Sequence, residues 1–149
     1  MKSTLAYPAV FTKEAKGIDV AFPDFPRAHT WADTEEGAYA MAVDCLRAAI
    51  EYALEEKDQI PTPSPVRKGQ YAIPVSLDLA PKLALYEAMR EEHISNVKLA
   101  EKLHVNETVV RRMLDPNHTS KPEQYTRALR ALGRATQVSV IKVARSASA

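Results

Sequence analysis

The sequence has 149 residues, enough for one domain or for two small ones, because single hydrophobic cores are commonly built from about 100 to 150 residues. Hydrophobic residues make up 46% and charged residues 26%, as in an ordinary globular protein, and no stretch approaches the roughly 18 apolar residues of a membrane helix. The single cysteine, Cys45, excludes an internal disulfide. Residues 1–8 lack the apolar segment of a signal peptide, and we therefore expect a cytoplasmic protein.

The net charge of +1 conceals two oppositely charged parts. Residues 1–65 contain 6 Lys or Arg against 11 Asp or Glu, a net charge of −5, whereas residues 66–149 contain 14 against 8, a net charge of +6. A basic part suits contact with phosphates and an acidic part suits a basic protein surface, although surface charge also serves solubility. The division predicts two different partners.

The first part of the chain alternates apolar and polar residues, which predicts a β-hairpin. The residues that alternate are Tyr7, Ala9 and Phe11, and then Ile18, Val20 and Phe22. Pro23 and Pro26 should end the second strand because each lacks an amide donor, and His29 should begin a third strand.

A long helix should follow, with Asp33 and Glu36 as a capping box at its start. Its predicted apolar face consists of Ala38, Met41, Ala42, Cys45, Leu46, Ala49, Ile50, Ala53 and Leu54. The prolines of residues 60–65 cannot continue this helix and predict a stiff connector. Residues 71–77 alternate again and predict a fourth strand at a sheet edge, where Pro74 is tolerated. We expect the first domain to span residues 1–77.

The second domain, residues 78–149, should be helical. A first helix follows Asp78 with Pro81 in its first turn and an apolar stripe at Leu79, Leu83, Tyr86 and Met89. Three more helices should begin at Ser95, at Asn106 and at a capping box of Ser120 with Glu123, and Gly133 should end the last one. A short C-terminal strand is predicted from Val138, Val140, Ile141 and Val143, which could pair with itself across a dimer.

Residues 96–113 resemble the helix-turn-helix of the phage-repressor class. The small Ala100 stands where two steeply crossing helices touch, and the inner faces carry Leu99, Leu103, Val105, Val110 and Met113. The motif usually has a glycine in the turn where this chain has His104. The second helix of such a motif enters the major groove. The residues expected to face DNA are then Asn106, Glu107, Thr108, Arg111 and Arg112, whose types suit contact with bases or phosphates. Candidate phosphate contacts are Lys98, Lys121 and Arg127. The alternative for each of them is a solvated surface side chain without a partner.

An ordered set of segments precedes the helix-turn-helix, namely residues 7–11, 17–26, Thr30, 34–36, 60–65 and 73–75. Together with the helix-turn-helix, these segments resemble the HicB antitoxins of bacterial toxin–antitoxin pairs over most of the chain. The resemblance implies an α+β fold, with a partial RNase H-like β-β-β-α-β domain ahead of an all-α helix-turn-helix domain. It also implies a small basic HicA-type toxin, an RNA-cleaving protein, as partner of the first domain and operator DNA as partner of the second. The acidic residues expected to steer the toxin are Asp24, Asp33, Glu35 and Glu36.

Two other functions compete with this interpretation. One is a transcription regulator whose first domain senses a small ligand. The other is a nuclease in which Asp19, Asp24, Asp33 and Asp44 hold Mg²⁺, but Asp19 alternates with apolar neighbours and should face solvent. We therefore predict no catalytic residue, metal or cofactor. A homo-oligomer, dimer or tetramer, is expected because one recognition helix reads few base pairs.

Overall fold

The computed structural model describes residues 6–140 and 142, which divide into two compact units. The described residues of the first unit are 6–50, 61–76, 139, 140 and 142. Its elements are strands β1 (Ala6–Glu14), β2 (Gly17–Phe22) and β3 (Phe25–Ala32), most of helix α1 (Glu35–Glu56), and strand β4 (Tyr71–Pro74). The first unit thus contains both β-strands and an α-helix, which confirms the prediction of a fold with mixed α and β structure.

The four strands form an antiparallel sheet in the order β3-β2-β1-β4. The predicted hairpin of β1 and β2 is confirmed, with Phe11 opposite Val20 and Glu14 opposite Gly17. Gly17 is required at its position because a Cβ there would lie 2.4 Å from the indole of Trp31. The alternation of the sequence therefore corresponds to a real strand pair.

Both outer strands contain a proline. The prediction of β4 as an edge strand that tolerates Pro74 is confirmed, but the strand ends at Pro74 and not at residue 77 as predicted. The third strand, however, begins at Phe25 and not at His29, so the predicted start was wrong. Pro26 does not interrupt β3, since an edge strand has one side on which an amide donor is dispensable.

Helix α1 buries one stripe of small and branched side chains at four-residue spacing, namely Ala38, Ala42, Leu46 and Ile50. Met41 was predicted on this face but is 41% exposed, and Cys45 is only half-buried. The capping box of Asp33 with Glu36 was also wrong. The hydroxyl of Thr34 accepts from the amide of Gly37 at 3.0 Å, because the helix begins one residue later than predicted.

The described residues of the second unit are 51–60 and 77–138, and it is helical. Besides the end of α1 it contains α2 (Ala80–Glu91), α3 (Asn96–Leu103), α4 (Glu107–Leu114) and α5 (Pro122–Ala131). Pro81 stands in the first turn of α2, as predicted. The helices share one core made of Leu85, Ala88, Met89, Leu99, Ala100, Leu103, Val110, Met113, Tyr125, Ala128, Leu129 and Leu132.

The ends of these helices test the predicted caps. Ser95 caps α3 by accepting from the Lys98 amide at 3.2 Å, which confirms that prediction. Asn106 occupies the N-cap position of α4, but its side chain makes no capping bond. The box of Ser120 with Glu123 was wrong, since Pro122 takes the first helical position and so moves the cap to residue 121.

Helix α5 ends as the sequence predicted. Gly133 has φ +76°, and the amide of Arg134 donates to the Leu129 carbonyl at 2.9 Å. Beyond it, Val138 and Val140 are exposed and lie outside regular structure. Ile141 and Val143 fall outside the described residues, so the strand across a dimer stays a prediction.

Candidate nucleic-acid interface and protein-binding surface

Helices α3 and α4 are eight residues each and are joined by a turn of three residues, 104–106. Ala100 is 4% exposed, and its carbonyl accepts from the amide of Val105 at 3.1 Å. His104 adopts the left-handed conformation, with φ 55° and ψ 43°, at the position where glycine is usual. The turn therefore forms without glycine, at the cost of a strained backbone.

Helix α4 has one buried and one exposed face. Val110 and Met113 are fully buried, whereas Arg111 and Arg112 are exposed. The Arg111 guanidinium lies 3.6 Å from the Glu107 carboxylate one turn earlier. Within the described chain Arg112 has no carboxylate partner, so its charge is available to an external anion.

The other predicted DNA-binding residues differ in their surroundings. Lys98 is exposed but lies 3.4 Å from Glu101, and Lys121 is exposed at the start of α5. Arg127 donates to the Leu103 carbonyl at 3.3 Å and so satisfies the end of α3. Thr108 is half-buried on the first turn of α4, and Asn106, at the N-cap position before it, is exposed.

The acidic residues predicted for the first unit lie in two places. Asp24 lies in the turn between β2 and β3, whereas Asp33, Glu35 and Glu36 follow the opposite end of β3. The structure therefore does not bring Asp24 together with the other three. Asp33 and Glu36 are exposed side chains at the start of α1.

Asp24 holds the proline-rich connector. One carboxylate oxygen accepts from the Ser64 amide at 2.9 Å and the other from the Ser64 hydroxyl. A second anchor is the hydroxyl of Tyr7, which donates to the Pro61 carbonyl at 2.7 Å. The Asp24 carboxylate thus has a structural task within the chain.

Glu35 also has an internal partner, the hydroxyl of Tyr71. The ring of Tyr71 stacks on Phe11 with centroids 4.1 Å apart, and the ring of Tyr39 lies 6.4 Å away. Burial raises the pKa of the Tyr71 hydroxyl, which keeps it protonated as a donor. Sequence reasoning missed this aromatic cluster, although Phe11 and Tyr71 both lay on predicted inner faces.

The carboxylates weighed for a nuclease are dispersed. The Asp19 carboxylate lies 2.6 Å from the His29 ring, on the sheet face opposite Ile18 and Val20, as predicted. Over residues 6–140 and 142, no three His, Cys, Asp or Glu side chains are grouped so that they could hold a metal ion. In that same part of the chain, no helix has the length and apolar character needed to cross a membrane.

Sequence reasoning also missed Lys82 in α2, whose ammonium is buried among groups from α4 and α5. The available signal was its place between Leu79 and Leu83, where a charged residue enters an apolar stripe.

These observations define a small α/β protein with one unit built on a four-stranded sheet and a helical unit that exposes basic side chains. Residues 6–84 match the family described as a HicB_like antitoxin of bacterial toxin-antitoxin system. Antitoxin HicB 2 of Photorhabdus laumondii is 36% identical over 134 residues, which are 90% of this chain and 95% of that relative. Antitoxin HicB of Escherichia coli K12 is 30% identical over 131 residues, 87% of this chain and 95% of that relative. The chain belongs to the HicB-like antitoxin family.

Proposed function

We propose that the protein binds and masks a small HicA-type RNA-cleaving toxin through residues 1–77 and represses its own operon through residues 78–149. Membership of the HicB-like family supports the antitoxin role, with a toxin as partner. The proposal gives the chain no catalytic step, and it places the protein in the cytoplasm as a dimer or tetramer on a palindromic operator. Its first domain would have the partial RNase H-like fold.

The DNA-binding part rests on one observation. Helix α4 presents Arg111 and Arg112 to solvent while Val110 and Met113 anchor it in the core. A helix held from behind in this way presents its polar side chains in a fixed arrangement, as a recognition helix in a helix-turn-helix must. Arginine binds guanine edges with two hydrogen bonds and pairs equally well with phosphates.

The roles of the two arginines can be separated by experiment. If Arg111 contacts a base, Arg111→Ala should cost about 1–3 kcal/mol of binding and relax the preference at one operator position. If Arg112 contacts a phosphate, its loss should weaken all sequences alike and lower the salt dependence. Glu107 would then orient Arg111 through the contact at 3.6 Å.

The double variant Arg111→Ala/Arg112→Ala tests the whole assignment. We expect it to lose operator binding at fixed salt and promoter repression in cells, yet to neutralise the toxin. Lys13→Ala/Lys16→Ala is the matched control, because it removes two exposed positive charges from the β1–β2 hairpin. Wild-type operator affinity in a folded double variant would refute α4 as the DNA reader.

The toxin-binding surface needs a different test, because Asp24 and Glu35 have partners within the chain. We expect Asp33→Lys/Glu36→Lys to slow association with the toxin at low salt, since complementary charge accelerates encounter. The control is Asp44→Lys/Glu56→Lys, which reverses the same number of exposed charges farther along α1. If both pairs slow association with the toxin equally, the effect depends only on net charge, and a local toxin-binding surface at Asp33 and Glu36 is rejected.

The partner itself is tested by co-expression with the neighbouring genes and co-purification. A small basic protein that copurifies with residues 1–77 supports the antitoxin assignment. A chain that binds its operator but no such protein supports a regulator with a small-ligand-sensing first domain.

A further inference from the structure

The end of α4 is held by a buried ammonium group. Lys82 of α2 is 5% exposed, and its Nζ donates to three oxygens. These are the Met113 carbonyl at 3.4 Å, the His118 carbonyl at 2.5 Å and the Tyr125 hydroxyl at 2.9 Å. The Tyr125 hydroxyl in turn donates to the Met113 carbonyl at 2.9 Å. One charge therefore joins α2 to the last turn of α4, to the following loop and to α5.

The chemistry of this contact suits the end of a helix. The last carbonyls of a helix have no partner within it and carry partial negative charge, so a cation is favourable there. An ammonium has three donors, and all three have an acceptor here. None of the acceptors is a carboxylate, so the helix end and the loop carbonyl take the place of a counterion.

Stability alone is a poor explanation of this arrangement. Desolvation of a buried charge costs several kcal/mol, which offsets much of what its hydrogen bonds contribute. The ammonium instead sets the orientation of the helix end, because its three bonds fix the position of the Met113 carbonyl relative to the loop. That loop is ordered further by Asp115, whose side chain accepts from the Asn117 amide at 2.9 Å. Arg111 and Arg112 lie in the turn of α4 that this contact holds.

We propose that Lys82 is a positioning residue for operator recognition, which fixes the carboxyl end of α4 and so the direction of Arg111 and Arg112. This inference rests on the proposed DNA-binding function. Lys82 itself is buried and does not contact DNA. Its effect on binding passes through the Met113 carbonyl and the loop of residues 115–118.

The test uses the full chain with Lys82→Met, which keeps an unbranched side chain as far as the ε position and removes the ammonium. We expect a loss of operator affinity of about five- to 150-fold, the range for one lost base contact. The amides of residues 114, 115, 117 and 118 should exchange hydrogen faster, and displacement of Arg112 from a phosphate should lower the salt slope by about one. These readouts are taken well below the melting temperature, where the variant is folded.

Leu132→Ala is the matched control, because it removes a side chain from the same core at the end of α5. It should lower the melting temperature and leave affinity and salt slope unchanged. Should Lys82→Met not fold, Tyr125→Phe carries the same test with a smaller effect, because it removes one ammonium acceptor and the bond to Met113. A folded Lys82→Met protein with wild-type operator affinity would overturn the positioning role alone. Absence of operator binding by the wild-type chain would overturn the proposed function and this inference together.

Discussion

His104 allows the strain in the α3–α4 turn to be measured. An L-residue in the left-handed region costs roughly 1–2 kcal/mol, whereas glycine is free of that cost but loses about 0.4–1 kcal/mol through its more flexible unfolded chain. With φ 55° at His104, we expect His104→Gly to stabilise the helical unit by about 0.5–1 kcal/mol. The reverse change, Gly133→Ala, should destabilise the unit by a similar amount, because it places an L-residue at φ +76°. The added Cβ would meet no atom within 4 Å, so no steric clash adds to this backbone cost.

Urea unfolding followed by far-UV circular dichroism measures these effects. The single tryptophan, Trp31, lies in β3, so its fluorescence reports on the first unit and provides an internal reference that neither change should shift. His104→Ala is the control for the side chain, since alanine keeps the backbone cost. If His104→Gly is no more stable than His104→Ala, the backbone at residue 104 is not strained and the reasoning fails.

Three further changes probe packing, the connector and pH. Leu46→Ala should cost about 2–5 kcal/mol of unfolding free energy in the Trp31 signal, and a cost below about 1 kcal/mol would contradict its place in the core. Asp24→Ala should speed proteolysis of the connector, because it removes both bonds to Ser64. A double-mutant cycle with Ser64→Ala should show coupling through the Ser64 hydroxyl, and additive effects would exclude that bond. Burial and the nearby Glu91 raise the pKa of Glu87, so the folded state favours its neutral form and loses stability as the pH rises through that pKa. Glu87→Gln should therefore raise the melting temperature at pH 7, by an amount that shrinks on acidification; a gain independent of pH would argue against this titration.

Local patterns made much of the fold predictable from the sequence. The alternation around Val20 identified the hairpin, and the four-residue spacing of Leu46 and Ile50 identified α1, because burial of one face imposes that periodicity. The cap of α1 was misplaced by one residue, since Asp33 and Thr34 are both good N-caps and the sequence does not show which backbone amide is in reach.

Several contacts within the two units join residues far apart in sequence. Ser64 lies 40 positions from Asp24, and the partners of Lys82 lie 31 to 43 positions beyond it. No periodicity encodes such pairs, because they arise only when separate elements pack together. For the same reason the sequence suggested one acidic surface, whereas Asp24 and Asp33 lie at opposite ends of β3.

The prolines in the outer strands bear on how the protein behaves before it meets a partner. A free strand edge is a template on which another chain can add a strand, which leads to aggregation. Pro26 in β3 and Pro74 in β4 each remove one amide donor from an outer strand. Proline in both outer strands thus disfavours strand addition, while the exposed turns of the sheet remain accessible to a specific partner.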